Sequence, residues 1–491
     1  MKPALLLTGL ALFVGLATAN AGGYRYGVSD QAFYAPAVLK AENPSLFPRD
    51  GALLSVESSL MVTDRILAAA SRASHLDVPH LFAILQLLTL VGLAAAAAAF
   101  ARALDFPPWT TALFVALLTL RHHITKTGAN TFEGYLHPRV IAFAIGLAGL
   151  TCLLRGRPWL LIAALGVAAL VHPTTAAWFG IIAIVAALVS RPAWRAAVIP
   201  IVILGAVVAV WLVVAGPLAG RLARMDAPWL AVLADRDYLF PSRWPAYAWA
   251  VNLGYLAVIL LIWRVRRRRA EASIGETGLV AGCAALVAVF LASVPFQAAG
   301  VALAVQLQVD RVFWLLDVIA TAYLAWWLFS TPLGSSAGRR TVTLCVVLAL
   351  SGGRGWYVLH QGGGRPLVAI DLPDTAWTDA MRWIRSQPAQ WNVLADPGHA
   401  LTFGASVRVA AERDTVLDES KDPAIAMYDR SLALRIADRE RALAAFSTFG
   451  TADVRRVGRE FAADVVVMPR AQPLDLPVLY SNAGFVVYDL R

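Results

Sequence analysis

The chain has 491 residues, 59% hydrophobic and 15% charged, with a mean hydropathy of +0.63 and a formal net charge of +10. So apolar a polypeptide is excluded from the soluble enzymes. Its positive charge is no nucleic-acid footprint either, because the arginines sit in short clusters between apolar runs, where they read as topology signals, and no nucleic-acid partner is expected.

Apolar stretches long enough to cross a hydrocarbon core of ~30 Å recur through the first 360 positions. Spans are predicted near 3–20, 79–103, 109–121, 138–154, 158–173, 174–190, 196–216, 246–263, 278–294, 310–332 and 341–358, eleven in all. The first is preceded by Met1-Lys2 and followed by Ala17-Thr-Ala-Asn-Ala21, so it also has the form of a secretory signal with a small-residue cleavage site. Read as retained, with Lys2 in the cytoplasm, it places Arg102, Arg155, Arg157, Arg191, Arg195, Arg264, Arg266 to Arg269, Arg339 and Arg340 inside, as the positive-inside rule requires. The outside then holds 21–78, His122 to His137, the turn at His172-Pro173, 217–245, 295–309 and everything after about position 360. Cys152, Cys283 and Cys345 all fall in predicted spans, which leaves no disulfide framework or zinc spacing.

The first outer loop, 21–78, is long for a connector. It carries Asp30 among Tyr24, Arg25, Tyr26 and Gln31, then turn signals at Asn43-Pro44 and Phe47-Pro48-Arg49-Asp50-Gly51. Leu53 to Ala70 alternates apolar and polar residues at helical spacing and is predicted to lie on the outer interface as an amphipathic helix. The expected division is a transmembrane domain over 1–360 and a soluble domain over 361–491, joined by Gly362-Gly-Gly-Arg365-Pro366. In the soluble part, Asp374 to Ile384 is predicted as an amphipathic helix and 423–445 as an arginine-rich one. Strands are predicted at Trp391–Pro397, Val407–Ala410, Asp464–Met468, Val478–Tyr480 and Gly484–Tyr488. The fold class expected is therefore a polytopic α-helical membrane protein with a small extracytoplasmic α/β domain.

Ionisable groups at membrane depth are costly and usually face a cavity or a partner. Four outer segments collect them: Asp30 with Arg25; Arg121 to Arg139, with His122, His123, Lys126, Asn130, Glu133 and His137; His172-Pro173-Thr174-Thr175; and Gln306-Leu-Gln308-Val-Asp310-Arg311. Together they suit transfer of a sugar from a lipid phosphate. That reaction needs a carboxylate to take the acceptor's proton and cations or a metal to stabilise the leaving phosphate. Asp30 is the candidate base. Glu133 is placed to hold a divalent metal (Mg or Mn) with Asp30 and His137 or His123, or to orient the acceptor. Arg25, Lys126, His137, Arg139, His172, Gln308 and Arg311 are candidate substrate and phosphate contacts, with Arg311 at a helix mouth. The plainer readings are a loop ion pair for Asp30 with Arg25, a helix-terminating turn at His172-Pro173 and neutralisation of Arg311 by Asp310 or Asp317.

In this layout the chain resembles the GT-C superfamily of polytopic glycosyltransferases, and most of all a bacterial branch of it. The resemblance rests on Ser29-Asp30-Gln31 in the first outer loop, the interfacial helix after it, Asn130-Thr-Phe-Glu133-Gly in the second, and the terminal α/β domain. It implies an inverting enzyme in which the acceptor, activated by Asp30, attacks a polyprenyl-phosphate-linked sugar directly. The acceptor would be a lipid, glycan or protein, the partners membrane lipids, and the location a bacterial inner membrane with the N-terminus cytoplasmic and the C-terminal domain periplasmic. The chain departs from the family in having Gln31 where a paired acid is common and in lacking a Trp-Trp-Asp-Tyr-Gly run, which argues against an oligosaccharyltransferase. Two other classes remain open: a transporter or lipid-handling protein, which would favour inverted repeats and buried mid-membrane charge, and a scaffold that kept the fold without the chemistry.

Overall fold

A computed structural model of the chain describes residues 3–56, 61–361 and 364–491. It divides into two compact units: Met1–Tyr24, Leu85–Arg224 and Asp237–Leu367 form the first, and Arg25–Ile84, Met225–Arg236 and Val368–Arg491 the second. The first outer loop and the short 225–236 segment are thus grouped with the C-terminal part rather than with the spans.

Each predicted span forms a helix: Pro3–Asn20, Val78–Ala103, Pro108–Leu118, Pro138–Leu154, Pro158–Val171, Pro173–Ser190, Arg195–Val214, Ala246–Arg268, Ile274–Ala298, Val312–Phe329 and Ala337–His360. Among the described residues seven helices are long and apolar enough to cross a membrane, and four shorter apolar helices accompany them. The chain is a multi-pass membrane protein. Proline opens the helices at 108, 138, 158 and 173, where its missing N–H costs nothing and its fixed φ suits the first turn. The core of the unit is carried by Val312–Phe329, mostly buried, and by two aromatic groups, Trp244 with Phe290 and Phe313, and Phe143 stacked on Trp314. Arg195–Val214 lies at the other extreme, with no buried residue.

Pro173–Ser190 and Ile274–Ala298 approach at glycine. A Cβ added at Gly278 would stand 2.6 Å from the Ala186 carbonyl oxygen, and one at Gly282 would stand 2.7 Å from that of Ile182. This is a small-residue seam of the kind that lets membrane helices meet backbone to backbone. Gly282→Val is expected to force the two helices apart and destabilise the unit by about 1–3 kcal/mol or more. A lowered melting temperature in lipid checks it, and an unchanged one would contradict the seam.

The arginine cluster that ends Ala246–Arg268 is not wholly a surface anchor. Arg266 is 2% exposed, its guanidinium donates to Glu276 at 2.8 and 3.0 Å, and Tyr323 Oη donates to the same carboxylate at 3.1 Å. The Phe106 and Trp326 rings cover the cation.

In the second unit a five-stranded sheet runs Asp414–Thr415, Asn392–Leu394, Val465–Pro469, Phe485–Asp489, Val478–Ser481 in spatial order. The first three strands are parallel and the last two antiparallel to their neighbours. Helix Ala376–Ser386 covers one face with Trp377, Met381 and Ile384 against Val393, Val465, Val467 and Val487. The arginine-rich helix spans Arg430–Leu443, capped by the Asp429 carboxylate on the Leu432 N–H. Val407–Ala410, expected as a strand, is a helical turn: the Ser406 hydroxyl accepts from the Arg408 N–H and caps it, overriding the β-preference of two valines. The segment Leu53 to Ala70, expected as one helix, holds two, Gly51–Ser55 and Thr63–Ser74, with 57–60 outside the described residues.

Candidate functional site

Asp30, in the second unit, sits at the start of a helix absent from the sequence reading, Gln31–Glu42, which runs through Pro36. The turn into it is tight. Gly27 has φ +77 and its Cβ position is 2.7 Å from Val409 Cγ1, Ser29 has φ 53, and the Gly27 N–H donates to Gln31 Oε1 at 2.8 Å. Phe33 and Tyr34 anchor the helix in a cluster with Leu46, Phe47, Ile425 and Leu432. That anchoring brings Asp30 to the segment 418–422. Its carboxylate makes no capping bond to its own helix; the Lys421 ammonium donates to Oδ1. The Asp30 side chain stays 26% exposed and Lys421 16%, so the carboxylate can be reached while the cation is mostly covered.

Lys421 follows strand Asp414–Thr415, and the loop carrying it touches the loop after the parallel neighbour Asn392–Leu394 through Glu419 N–H to the Pro397 carbonyl, 2.9 Å. The carboxyl ends of parallel strands are where open α/β sheets bind ligands. Asp396-Pro-Gly-His399 closes this edge as structure: His399 is buried, with Nδ1 2.7 Å from the Asp396 carbonyl and Nε2 accepting from the Val407 N–H.

Beneath lies a buried charge network. Arg408, 1% exposed, donates to Asp50 Oδ2 at 2.8 Å and to both Asp422 oxygens at 2.6 and 2.9 Å. Asp50 also accepts from Arg435 and the Thr415 N–H. Burial opposes the Asp50 charge, yet Arg408 and then Arg435 hold its carboxyl below the usual range. Asp422, paired with Arg408 but near two other acids, is pushed up by burial.

In the first unit Glu133, 3% exposed, is fully engaged. Arg139 donates to Oε1 at 2.6 Å, Arg121 to Oε2 at 3.0 Å, and Asn130 Nδ2 to both oxygens at 3.0 and 3.1 Å. Gln86 holds the Glu133 carbonyl at 2.9 Å. Burial pushes this carboxyl up, but Arg139 and Arg121 outweigh it and hold it below its ordinary value of 4.5. The charge is therefore stabilising in the folded state above pH ~4.5, and that contribution is lost as pH falls through the lower folded value. Glu133→Gln removes the partner of two guanidiniums and is expected to cost about 3 kcal/mol or more. Thermal unfolding checks it: the deficit should be present at pH 7 and shrink toward pH 3.

His137 and His172 each cap a helix. His137 Nδ1 accepts from the Arg139 N–H at 3.2 Å, and His172 Nδ1 from the Thr175 N–H at 3.3 Å. Burial first, then the charges of His137, Arg311 and Arg139, keep the His172 imidazole well below its usual range. The four predicted phosphate contacts His137, Arg139, His172 and Arg311 are thus brought together at one end of the helical unit. Beside Arg311, Asp310 is wholly buried and neither carboxylate oxygen has a hydrogen-bond partner among the described residues. Gln308 precedes it in the left-handed region, φ 46, where the helix Ala302–Leu307 breaks. Lys126 goes elsewhere, to Asp237 at 2.5 Å, and His123 to Asn130 at 3.0 Å, while His122 Nδ1 is 2.8 Å from Asp317. Arg25 belongs to the second unit with Asp30.

Among the described residues no three histidine, cysteine, aspartate or glutamate side chains are grouped to hold a metal ion. The Glu133 oxygens expected as ligands are occupied by guanidinium and amide donors, and the Asp30 carboxylate meets an ammonium. Among the described residues the donor set does not fit a divalent cation.

No family model and no curated protein matches the sequence. Among solved structures, the chain is similar to the archaeal oligosaccharyltransferase AglB from Archaeoglobus fulgidus, in complex with an inhibitory peptide and a dolichol-phosphate. The similarity covers 95% of this chain and 70% of that one, with a TM-score of 0.49 and 9% identity. A second Archaeoglobus fulgidus oligosaccharyltransferase structure, tethered with an acceptor peptide, matches over 95% of this chain and 69% of that one, with a TM-score of 0.42 and 13% identity.

Proposed function

We propose that the protein is an integral-membrane glycosyltransferase. It moves a sugar from a polyprenyl-phosphate carrier to an extracytoplasmic lipid, glycan or protein acceptor, with inversion at the anomeric carbon and Asp30 as base. The observation that carries this reading is the convergence of His137, Arg139, His172 and Arg311 on two long-helix N-termini at the loop end of the spans. Helix N-termini and guanidiniums bind anions, and a phosphate on a polyprenyl chain presents its charge at that depth. Asp30 adds a reachable carboxylate in an outer-loop segment.

The test is transfer by the purified protein in lipid from a panel of polyprenyl-phosphate sugars. A glycosylated acceptor or hydrolysed donor supports the reading. Flux through liposomes without covalent product would replace it with transport. Reporter fusions after residue 364 should place the C-terminus outside the cytoplasm; a cytoplasmic signal would undo the proposed periplasmic location.

A further inference from the structure

Resting on the reading of Asp30 as the base, we infer that the cation serving this carboxylate is Lys421 of the C-terminal segment, and that the reaction uses no divalent metal ion.

The pairing is built rather than incidental. Lys421 lies in a turn fixed on both sides: its N–H donates to the Asp418 carbonyl at 3.1 Å, the Ser420 N–H donates to Asp418 Oδ1 at 3.0 Å, and the next residue, Asp422, is gripped by Arg408 through two bonds. Asp30 is fixed by its buried helix, whose Phe33 and Tyr34 pack with Ile425 four residues beyond Lys421. Two rigid segments almost 400 residues apart in sequence thus deliver one ammonium to one carboxylate at the carboxyl edge of the parallel strands.

The residue type also speaks. The chain uses arginine for nearly all its cations, with lysine only at 2, 40, 126 and 421. An arginine fork would span both oxygens of a carboxylate, whereas lysine meets it as a compact point charge. The residue beside Asp30 is Gln31, an amide rather than a second carboxylate, and its Oε1 accepts from the Gly27 N–H.

The step then balances without a metal. The acceptor O–H proton passes to the Asp30 carboxylate as the acceptor oxygen bonds to the anomeric carbon. The bond from that carbon to the phosphate oxygen breaks, and the lipid phosphate leaves with the electron pair. Lys421 neither gains nor loses a proton; it orients and charge-balances the base.

The experiment titrates Mn2+ into the full-length protein in nanodiscs by electron paramagnetic resonance and measures transfer with and without EDTA. Expected are no stoichiometric ion dependent on Asp30 and no loss of transfer in EDTA. One Mn2+ per chain that Asp30→Asn removes, or transfer lost in EDTA and restored by Mg2+, would overturn the inference. Lys421→Ala should lower transfer about a hundredfold, with added ethylammonium restoring at least tenfold, which a purely structural lysine would not allow; a variant with normal transfer would also overturn it. Should no donor serve the wild-type protein, the proposed function fails, while the Mn2+ titration still decides the cation.

Discussion

Asp30→Asn is expected to reduce sugar transfer by about 10²–10⁴-fold, the usual contribution of a positioned general base. The fold should survive. Asparagine keeps the shape, the side chain is 26% exposed, and it makes no capping bond to its helix, whose packing is carried by Phe33, Tyr34, Ala35 and Val38. The asparagine amide oxygen still accepts from the mostly covered Lys421 ammonium, so the cation keeps a hydrogen-bond partner. The measurement is transfer from the donor identified by the wild-type protein, beside a melting curve in the same lipid. A variant that transfers normally ends the base assignment, and one that melts far below the wild type makes Asp30 a structural residue.

Arg408→Met should do the opposite, acting on stability first. Arg408 makes the direct ion pair to Asp422 and, with Arg435, to Asp50; Arg408, Asp50 and Asp422 are each 1% exposed. Methionine fills the volume but leaves two carboxylates buried against an apolar group, at a cost of about 3–5 kcal/mol. Because Asp50 is held below its ordinary value of 3.8, its contribution in the wild type is present above that pH and lost as pH falls through the lower folded value. The deficit of the variant should therefore narrow in acid. Thermal unfolding in lipid reads the deficit, and a double-mutant cycle with Asp422→Asn should show strong coupling. Additive effects would mean that the network is not a unit.

What the sequence made legible follows from the range of the interaction. The eleven helices are written in runs of apolar residues that any window detects, and the prolines mark several of their starts. Ala376–Ser386 and four of the five strands of the sheet are equally local. Gln31–Glu42 was hidden by Pro36, which reads as a breaker although the helix accommodates it. Val407–Ala410 read as a strand because its valines outvoted a one-residue cap. The site divides the same way. His137, Arg139 and Glu133 are near in sequence and were legible as a group, but the locking of Glu133 by Arg121 depends on how the loop folds back. Lys421 had no local signal at all: its meaning comes from Asp30, across most of the chain.

The helix Arg195–Val214, which has no fully buried residue, carries a different lesson. Apart from Val198, half-buried against the core, its identity is set mostly by the surrounding hydrocarbon, so it should tolerate replacement by another apolar 20-mer that keeps a residue of that size there. What it cannot tolerate is removal, because an odd crossing deleted there would deliver every later loop to the opposite face of the bilayer. In such an element evolution is free to rewrite the letters but must keep the count, and variation concentrated there would reflect neutral drift rather than adaptation.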